Sequence, residues 1–294
     1  MTSPMQELRG MGISPKRGLG QTFLIDKQIA QKIVCLAPLE PEDIVVEIGP
    51  GMGILTFLIL QRVKEVVAVE IDREMVDYLR KKGQGITTLE IVHGDVLKFD
   101  FLDRAHKAGR KLEVVANLPY NVSTQIIFWL LECKEAFSHL TLMLQKEVAL
   151  RITSPPGGKD YGPLSIFTQL YTIPKILMRV PPHVFYPRPR VESALVGLKI
   201  LDHPRVEIED RGFFEDVVRA SFAQRRKTIL NSLKNSSITA RSREEVKDVL
   251  ESVGIEPLRR AETLDLIDFK SLAEALKELV KGKNSIHRSK WSVI

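Results

Sequence analysis

The stretch Val45-Val46-Glu47-Ile48-Gly49-Pro50-Gly51-Met52-Gly53-Ile54-Leu55-Thr56 joins an apolar, β-branched run to a glycine-rich turn and then to the spacing of an amphipathic helix. That order leaves few architectures open. A continuous apolar run reads as a strand covered on both faces, as in a parallel sheet, and a glycine turn before a helix lets a ligand touch backbone at the helix N-terminus. Two more apolar runs follow, each ending in acids. Val66-Val67-Ala68-Val69-Glu70-Ile71-Asp72 places carboxylates seventeen residues beyond Gly53, where one can accept both hydroxyls of a ribose. Glu70 is the candidate for that role rather than Asp72. Ile91-Val92-His93-Gly94-Asp95-Val96 offers Asp95 as an acceptor for an adenine amino group. Strands that end in ligand groups in series build a crevice along the carboxyl edge of an open α/β sheet.

The turn itself narrows the ligand. Its glycines read G-x-G-x-G at Gly49, Gly51 and Gly53, with Thr56 where a dinucleotide fingerprint wants its third glycine. Glu47, two residues before the first glycine, suits a site that holds a sulfonium and an amino acid, so S-adenosylmethionine fits better than NAD. A fourth apolar run, Val114-Val115-Ala116-Asn117-Leu118-Pro119-Tyr120, delivers an amide, a proline and an aromatic ring to one strand end. The Asn117 oxygen and the Leu118 carbonyl, held before Pro119, can accept from an exocyclic amine while Tyr120 stacks on the ring that carries it. Taken alone, Asn-x-Pro after a strand is most often a turn. The upstream glycine turn and acids change that balance.

These segments resemble those of the ribosomal RNA adenine N6,N6-dimethyltransferases of the small-subunit type, and the resemblance runs from about Gly20 to Leu233. It is carried by Gly20-Gln21-Thr22-Phe23-Leu24, the glycine turn, Glu70, Gly94-Asp95, Asn117-Leu118-Pro119-Tyr120, Leu144-Gln145-Lys146-Glu147, Phe185-Tyr186-Pro187-Arg188-Pro189-Arg190-Val191-Glu192-Ser193 and Gln224-Arg225-Arg226-Lys227-Thr228. It implies a Rossmann-like S-adenosylmethionine-dependent methyltransferase sheet with a small C-terminal helical domain. Further cofactor contacts are implied at Gln21, Thr22, Leu24, Ile71 and Val96, beside Asn117. The family usually has Asn where this chain has Thr22. The shorter hydroxyl puts a side-chain contact with the cofactor in doubt, whereas a backbone contact would survive.

The chain of 294 residues is long enough for an α/β core plus a second small domain. The Pro-rich stretch 181–189 leads into one more strand-like run, 194–201, after which the pattern turns helical. The boundary is therefore placed near Asp202, with a catalytic domain at 1–201 and a helical RNA-binding domain at 202–294. Val217, Val218, Ser221 and Phe222 share one helix face, Ser242-Arg243-Glu244-Glu245 reads as a capping box, and Leu272, Ala275, Leu276, Leu279 and Val280 mark a last helix ending before Gly282. The tail from Lys283 reads as frayed. From Arg219 to Arg243 there are seven basic residues and no acidic one, whereas a solvated helix face interleaves the two signs. Arg225, Arg226 and Lys227 are expected on one helix turn facing phosphates, with Lys16, Arg17, Arg188 and Arg190 extending that surface. Cys35 and Cys133 sit in apolar surroundings, read as two buried thiols. Neither follows a proline, so no sulfur nucleophile is in view. No metal-ligand spacing occurs, and no signal or apolar span of about 20 residues is present, so a cytoplasmic protein without a required metal is expected.

Adenine N6 is a poor nucleophile because its lone pair is delocalised into the ring. If Asn117 and Leu118 accept its two N–H groups, the amine is held pyramidal with the lone pair directed at the methyl donor. Tyr120 would cover one face of the base. Phe185 is a candidate for the other, nearly balanced by its reading as a core aromatic anchoring the proline loop. The resemblance implies two adjacent adenosines in a hairpin loop near the 3′ end of small-subunit RNA, within a partly assembled subunit, and a loop base costs least to splay out. A monomer is assumed. The rivals are a large-subunit dimethyltransferase of the macrolide-resistance type, disfavoured by Pro50, Leu118 and the 224–228 segment, and a binding factor that has lost chemistry, disfavoured by the intact Asn117-Leu118-Pro119-Tyr120. A DNA adenine methyltransferase would carry Pro at the Leu118 position.

Overall fold

A computed structural model describes residues 10, 14–236, 238 and 242–288, with backbone alone at 17 and 281–288. The strands are β1 (Phe23–Leu24), β2 (Ile44–Ile48), β3 (Glu65–Glu70), β4 (Leu89–His93), β5 (Leu112–Asn117), β6 (Phe137–Gln145), β7 (Thr172–Val180), β8 (Phe185–Tyr186) and β9 (Ser193–Ile200). Seven of them form one sheet in the order β4-β3-β2-β5-β6-β9-β7, and β1 pairs with β8 in a separate antiparallel ribbon. The β4-β3-β2-β5-β6 run is parallel, with β9 antiparallel to both of its neighbours. Every residue of β2 is buried, as a strand covered on both faces requires. Strand order reverses between β2 and β5, which is where an open α/β sheet leaves a crevice at its carboxyl edge. The register puts Ile48 level with Val69 and Ala116, and Glu70 level with His93, so the four strand ends come out side by side.

Helices α1 (Lys27–Leu36), α2 (Thr56–Ile59), α3 (Arg73–Lys82), α4 (Phe101–Ala108), α5 (Ser123–Glu132) and α6 (Lys146–Thr153) connect these strands. Asp26, Asp72 and Asp100 each cap a helix by accepting a backbone N–H, and Gly109 closes α4 in the left-handed conformation. Val34, Ala37, Val45, Ile59, Val66, Val115 and Leu195 belong to one buried cluster that joins α1, α2 and the sheet. Cys133 is buried, but Cys35 is exposed on α1, which corrects the reading of two buried thiols. Its neighbours Ile33 and Val34 take the inward face of the helix instead.

Two compact units emerge, residues 1–153 with 171–202 and residues 154–170 with 203–294. Segment 154–170, which contains most of α7 (Pro163–Tyr171), therefore groups with the C-terminal helices and not with the sheet. Aromatic packing explains why: Phe167 meets Phe214, and Tyr161 meets Phe222, with ring centroids 6.4 and 6.3 Å apart. Helices α8 (Arg211–Phe222), α9 (Ile229–Lys234), α10 (Arg243–Ser252) and α11 (Leu266–Arg288) complete that unit. The capping box at Ser242 forms as expected, with Ser242 and Glu245 each accepting the other's backbone N–H. Helix α11 continues through Gly282 to Arg288; the rest of the expected frayed tail, 289–294, lies outside the described residues. No helix among the described residues is long and apolar enough to cross a membrane.

Candidate active site

The glycine turn closes the end of β2 with Gly49, Gly51 and Gly53 all at positive φ. At Gly51 a Cβ would stand 2.8 Å from the Phe23 ring of β1, so only glycine lets the N-terminal ribbon cover the turn. Glu70 locks the turn to β3. Its carboxylate accepts from the Gly51 N–H at 3.1 Å and from the Asp72 N–H at 2.8 Å, one to each oxygen. Burial pushes the Glu70 pKa up, opposed by these two N–H groups. Asp72 is committed elsewhere: it accepts from Lys16 Nζ at 2.6 Å, Gln21 Nε2 at 2.7 Å and the Glu74 N–H at 3.1 Å. Burial raises its pKa, but the hydrogen bonds from Lys16 and Gln21 outweigh that and hold it below the usual range.

Glu47 is buried, and its Oε2 has no partner. Burial first, then the Glu70 charge, push its pKa up to about 8, with Thr56 opposing. Asn117 shows a similar asymmetry. Its Nδ2 donates to the Thr22 carbonyl at 2.8 Å, while its buried Oδ1 has no partner. The amide is thereby fixed with an empty acceptor, in a molecule where buried polar atoms are otherwise paired as a rule. The departure at Thr22 is harmless to this contact, because the backbone carbonyl makes it.

One cavity is lined by Gln21, Thr22 and Leu24 from the N-terminal ribbon, by Glu47, Gly49 and Gly51 from the turn, and by Glu70 and Ile71 after β3. Asp95, Val96, Asn117, Leu118 and Pro119 complete it among the residues anticipated from sequence. Asp95 also caps a short turn by accepting the Leu97 N–H at 3.0 Å. Gly53 stands outside the lining, where a Cβ would strike Leu79 and Phe57; it packs the turn on its helix. Tyr120 is not among the lining residues, although Pro119 and Asn121 on either side of it are; it is half-buried, with its hydroxyl 2.5 Å from Ser193 Oγ. Phe185 does not line it. The ring is only 2% exposed, packed among Leu24, Val184 and Val180 in the apolar cluster, so the anchoring role describes it and neither ring face is free for a base.

The basic residues divide. Arg188 and Arg190 are exposed on the loop between β8 and β9. Arg225, Arg226 and Lys227 are exposed too, but in the turn between α8 and α9 and not on a helix. Thr228 is the reason: it caps α9 in extended backbone, which a continuous helix cannot contain. Arg225 additionally donates to the Lys159 carbonyl. Lys16 is not a free cation for RNA, since its ammonium pairs with Asp72 and, at 3.0 Å, with Glu74. Sequence reasoning also missed Asn121 and Val122 as lining residues and Ser193 as the partner of Tyr120.

A largely parallel sheet with a crevice at its switch point, closed by a glycine turn that the buried Glu70 locks to the neighbouring strand, is the fold of a Rossmann-like methyltransferase. The family model described as "Ribosomal RNA adenine dimethylase" matches residues 13–272, and the chain belongs to that family. It is an rRNA methyltransferase. Ribosomal RNA small subunit methyltransferase A of Geobacter metallireducens is 42% identical over 273 residues, covering 92% of this chain and 99% of that protein. The protein of the same name from Geobacillus kaustophilus is 45% identical over 278 residues, covering 92% and 94%. Among solved structures, a dimethyladenosine transferase from Plasmodium falciparum superimposes with a TM-score of 0.73 at 27% identity, covering 88% of this chain and 98% of that one. The 23S rRNA methyltransferase ErmE gives 0.65 at 26% identity, covering 87% and 99%.

Proposed function

We propose that this enzyme dimethylates N6 of two adjacent adenosines in a hairpin loop near the 3′ end of small-subunit rRNA, using S-adenosylmethionine. Its natural substrate is a partly assembled small subunit in the cytoplasm, and it acts as a monomer. The small-subunit target is supported by the names of the relatives at 42–45% identity. The residues fit the cofactor: Glu70 offers buried oxygens for a ribose diol, Asp95 lines the same cavity and can accept from an adenine amine, and Glu47 brings an unpartnered buried carboxyl oxygen that, once ionised, suits a cation. When bound, S-adenosylmethionine supplies an activated methyl group on a sulfonium.

The observation that carries the reading is the split amide of Asn117. Held by Thr22 at one end, it presents a desolvated acceptor at the other, oriented before any substrate arrives. An N6 amine donating to Asn117 Oδ1 and to the Leu118 carbonyl has its lone pair turned out of conjugation, which raises its nucleophilicity. No strong base is needed. Once nitrogen carries four substituents its proton is acidic and leaves to water. Tyr120 covers a face of the base, and the exposed arginines at 188, 190, 225 and 226 with Lys227 hold RNA phosphates. After one methyl transfer the amine keeps a single N–H, so the pocket must readmit the monomethyl base with its methyl turned away and fresh cofactor loaded.

Asn117→Ala tests this. Turnover on unmodified small subunits should fall by about 10²–10³, the usual cost of removing one preorganised hydrogen-bonding group, while calorimetry should find cofactor affinity largely kept, because Asn117 is only one of several expected cofactor contacts around the cavity. Near-normal turnover would show that the amide does not hold the amine.

A further inference from the structure

Tyr120 and Ser193 come from motifs that lie 73 residues apart in sequence, yet their hydroxyl oxygens meet at 2.5 Å. Ser193 is fully buried and opens β9, the strand between β6 and β7, with Gln145 and Val180 as its neighbours in register. Its backbone is therefore tied into the sheet on both sides. The preceding residue is fastened as well: Lys146 donates its backbone N–H to the Glu192 carbonyl at 2.9 Å, and its ammonium pairs with the Glu192 carboxylate at 2.6 Å. Tyr120, by contrast, sits on a loop after Pro119, where among the described residues its local side-chain tie is through its carbonyl, which accepts from Ser123 Oγ at 3.2 Å. The contact at the phenol tip is what connects the ring to a rigid element.

A ring held only at its Cα end swivels about two side-chain torsions, whereas one also held at the hydroxyl presents a fixed face. Stacking depends on that face being parallel to the base. We infer that Ser193 is a positioning residue for the target adenine: it touches no substrate and acts by fixing the plane of the Tyr120 ring through the hydroxyl contact. Burial keeps the Tyr120 phenol neutral by pushing its pKa up, so the hydrogen bond persists across the working pH range. The arginine-bearing loop 187–192 joins the sheet at this same serine, which places RNA contact and base contact on one support. The inference rests on the reading of Tyr120 as the base-stacking residue.

The test is a double-mutant cycle on methyl transfer to small subunits lacking the modification. Tyr120→Phe and Ser193→Ala each remove the same hydrogen bond, so each should lower kcat about fivefold to tenfold, with cofactor affinity by calorimetry unchanged. The double variant should lose no more than either single one. Tyr120→Phe covers the case in which Ser193→Ala fails to fold. Additive losses in the double variant, or wild-type kcat in the two single ones, would overturn the inference. Tyr120→Ala separates the two levels. If it loses turnover while Ser193→Ala does not, only the positioning role fails; if it keeps wild-type turnover, the stacking reading fails and the inference with it.

Discussion

Binding of S-adenosylmethionine should expel a proton, and the amount follows from Glu47. With its carboxyl pushed up to about 8 in the free protein, the ratio of protonated to ionised Glu47 at pH 7 is 10^(8−7), so about 0.9 of a proton is held. A cation entering the buried site gives the ionised form a partner, and an opposite charge close by lowers a carboxyl pKa by about 1–3 units. A fall of about 2 units leaves about 0.1 of a proton bound at pH 7, so about 0.8 is released per cofactor. At pH 9 the free protein holds only about 0.1, and release nearly vanishes. The sign is fixed: the bound state holds fewer protons, so affinity rises with pH between about 6 and 8 and then levels off. Calorimetric titrations at pH 7 in two buffers of different ionisation enthalpy give the proton count as a slope. Glu47→Gln, run in parallel, removes the carboxyl and leaves any contribution of the cofactor's own amine. Equal slopes for the two proteins at pH 7 would refute the assignment of Glu47 to the cation.

Replacing Arg225, Arg226 and Lys227 together by Gln should weaken RNA binding and flatten the slope of log affinity against log salt by about 2 to 3, measured by titration at several salt concentrations; an unchanged slope would make these residues solvated surface. A separate effect is expected at Glu113, on β5, where burial and the charge of Asp43 push the carboxyl up to about 8 against Arg110 and the neighbouring His139 and Ser138. Because the folded state binds this proton more tightly than the unfolded one, stability falls as pH rises from about 4.5 to 8, by at most about 5 kcal/mol. Glu113→Gln should therefore show a Tm advantage over wild type that grows between pH 5 and 8, and a pH-independent difference would refute it.

What the sequence made legible was local. Glu47, Glu70, Asp95 and Asn117 each stand at the end of an apolar run, and the register of parallel strands brings such ends to one edge whatever the remaining topology. The Ser242 capping box is likewise contained in four residues. What stayed hidden was contact between distant segments. Lys16 looked like another cation for RNA because nothing in its neighbourhood announces Asp72, 56 residues away. The Tyr120 and Ser193 pair is hidden for the same reason, and the placement of segment 154–170 follows from aromatic packing that periodicity does not encode. Phe185 is a different case: both of its roles suit an aromatic ring before a proline, and only burial chooses between them. The break after Phe222 was readable in part, since Thr228 followed by Ile229 and Leu230 is a cap before an apolar run.

The most direct test of the account is methyl transfer itself. The purified protein would be mixed with methyl-labelled S-adenosylmethionine and, in parallel, with small subunits lacking the modification and with large-subunit RNA, and the labelled nucleosides identified after digestion. Label recovered as N6,N6-dimethyladenosine from small subunits alone is the predicted result. Label in large-subunit RNA, or none in either despite RNA binding, would contradict it.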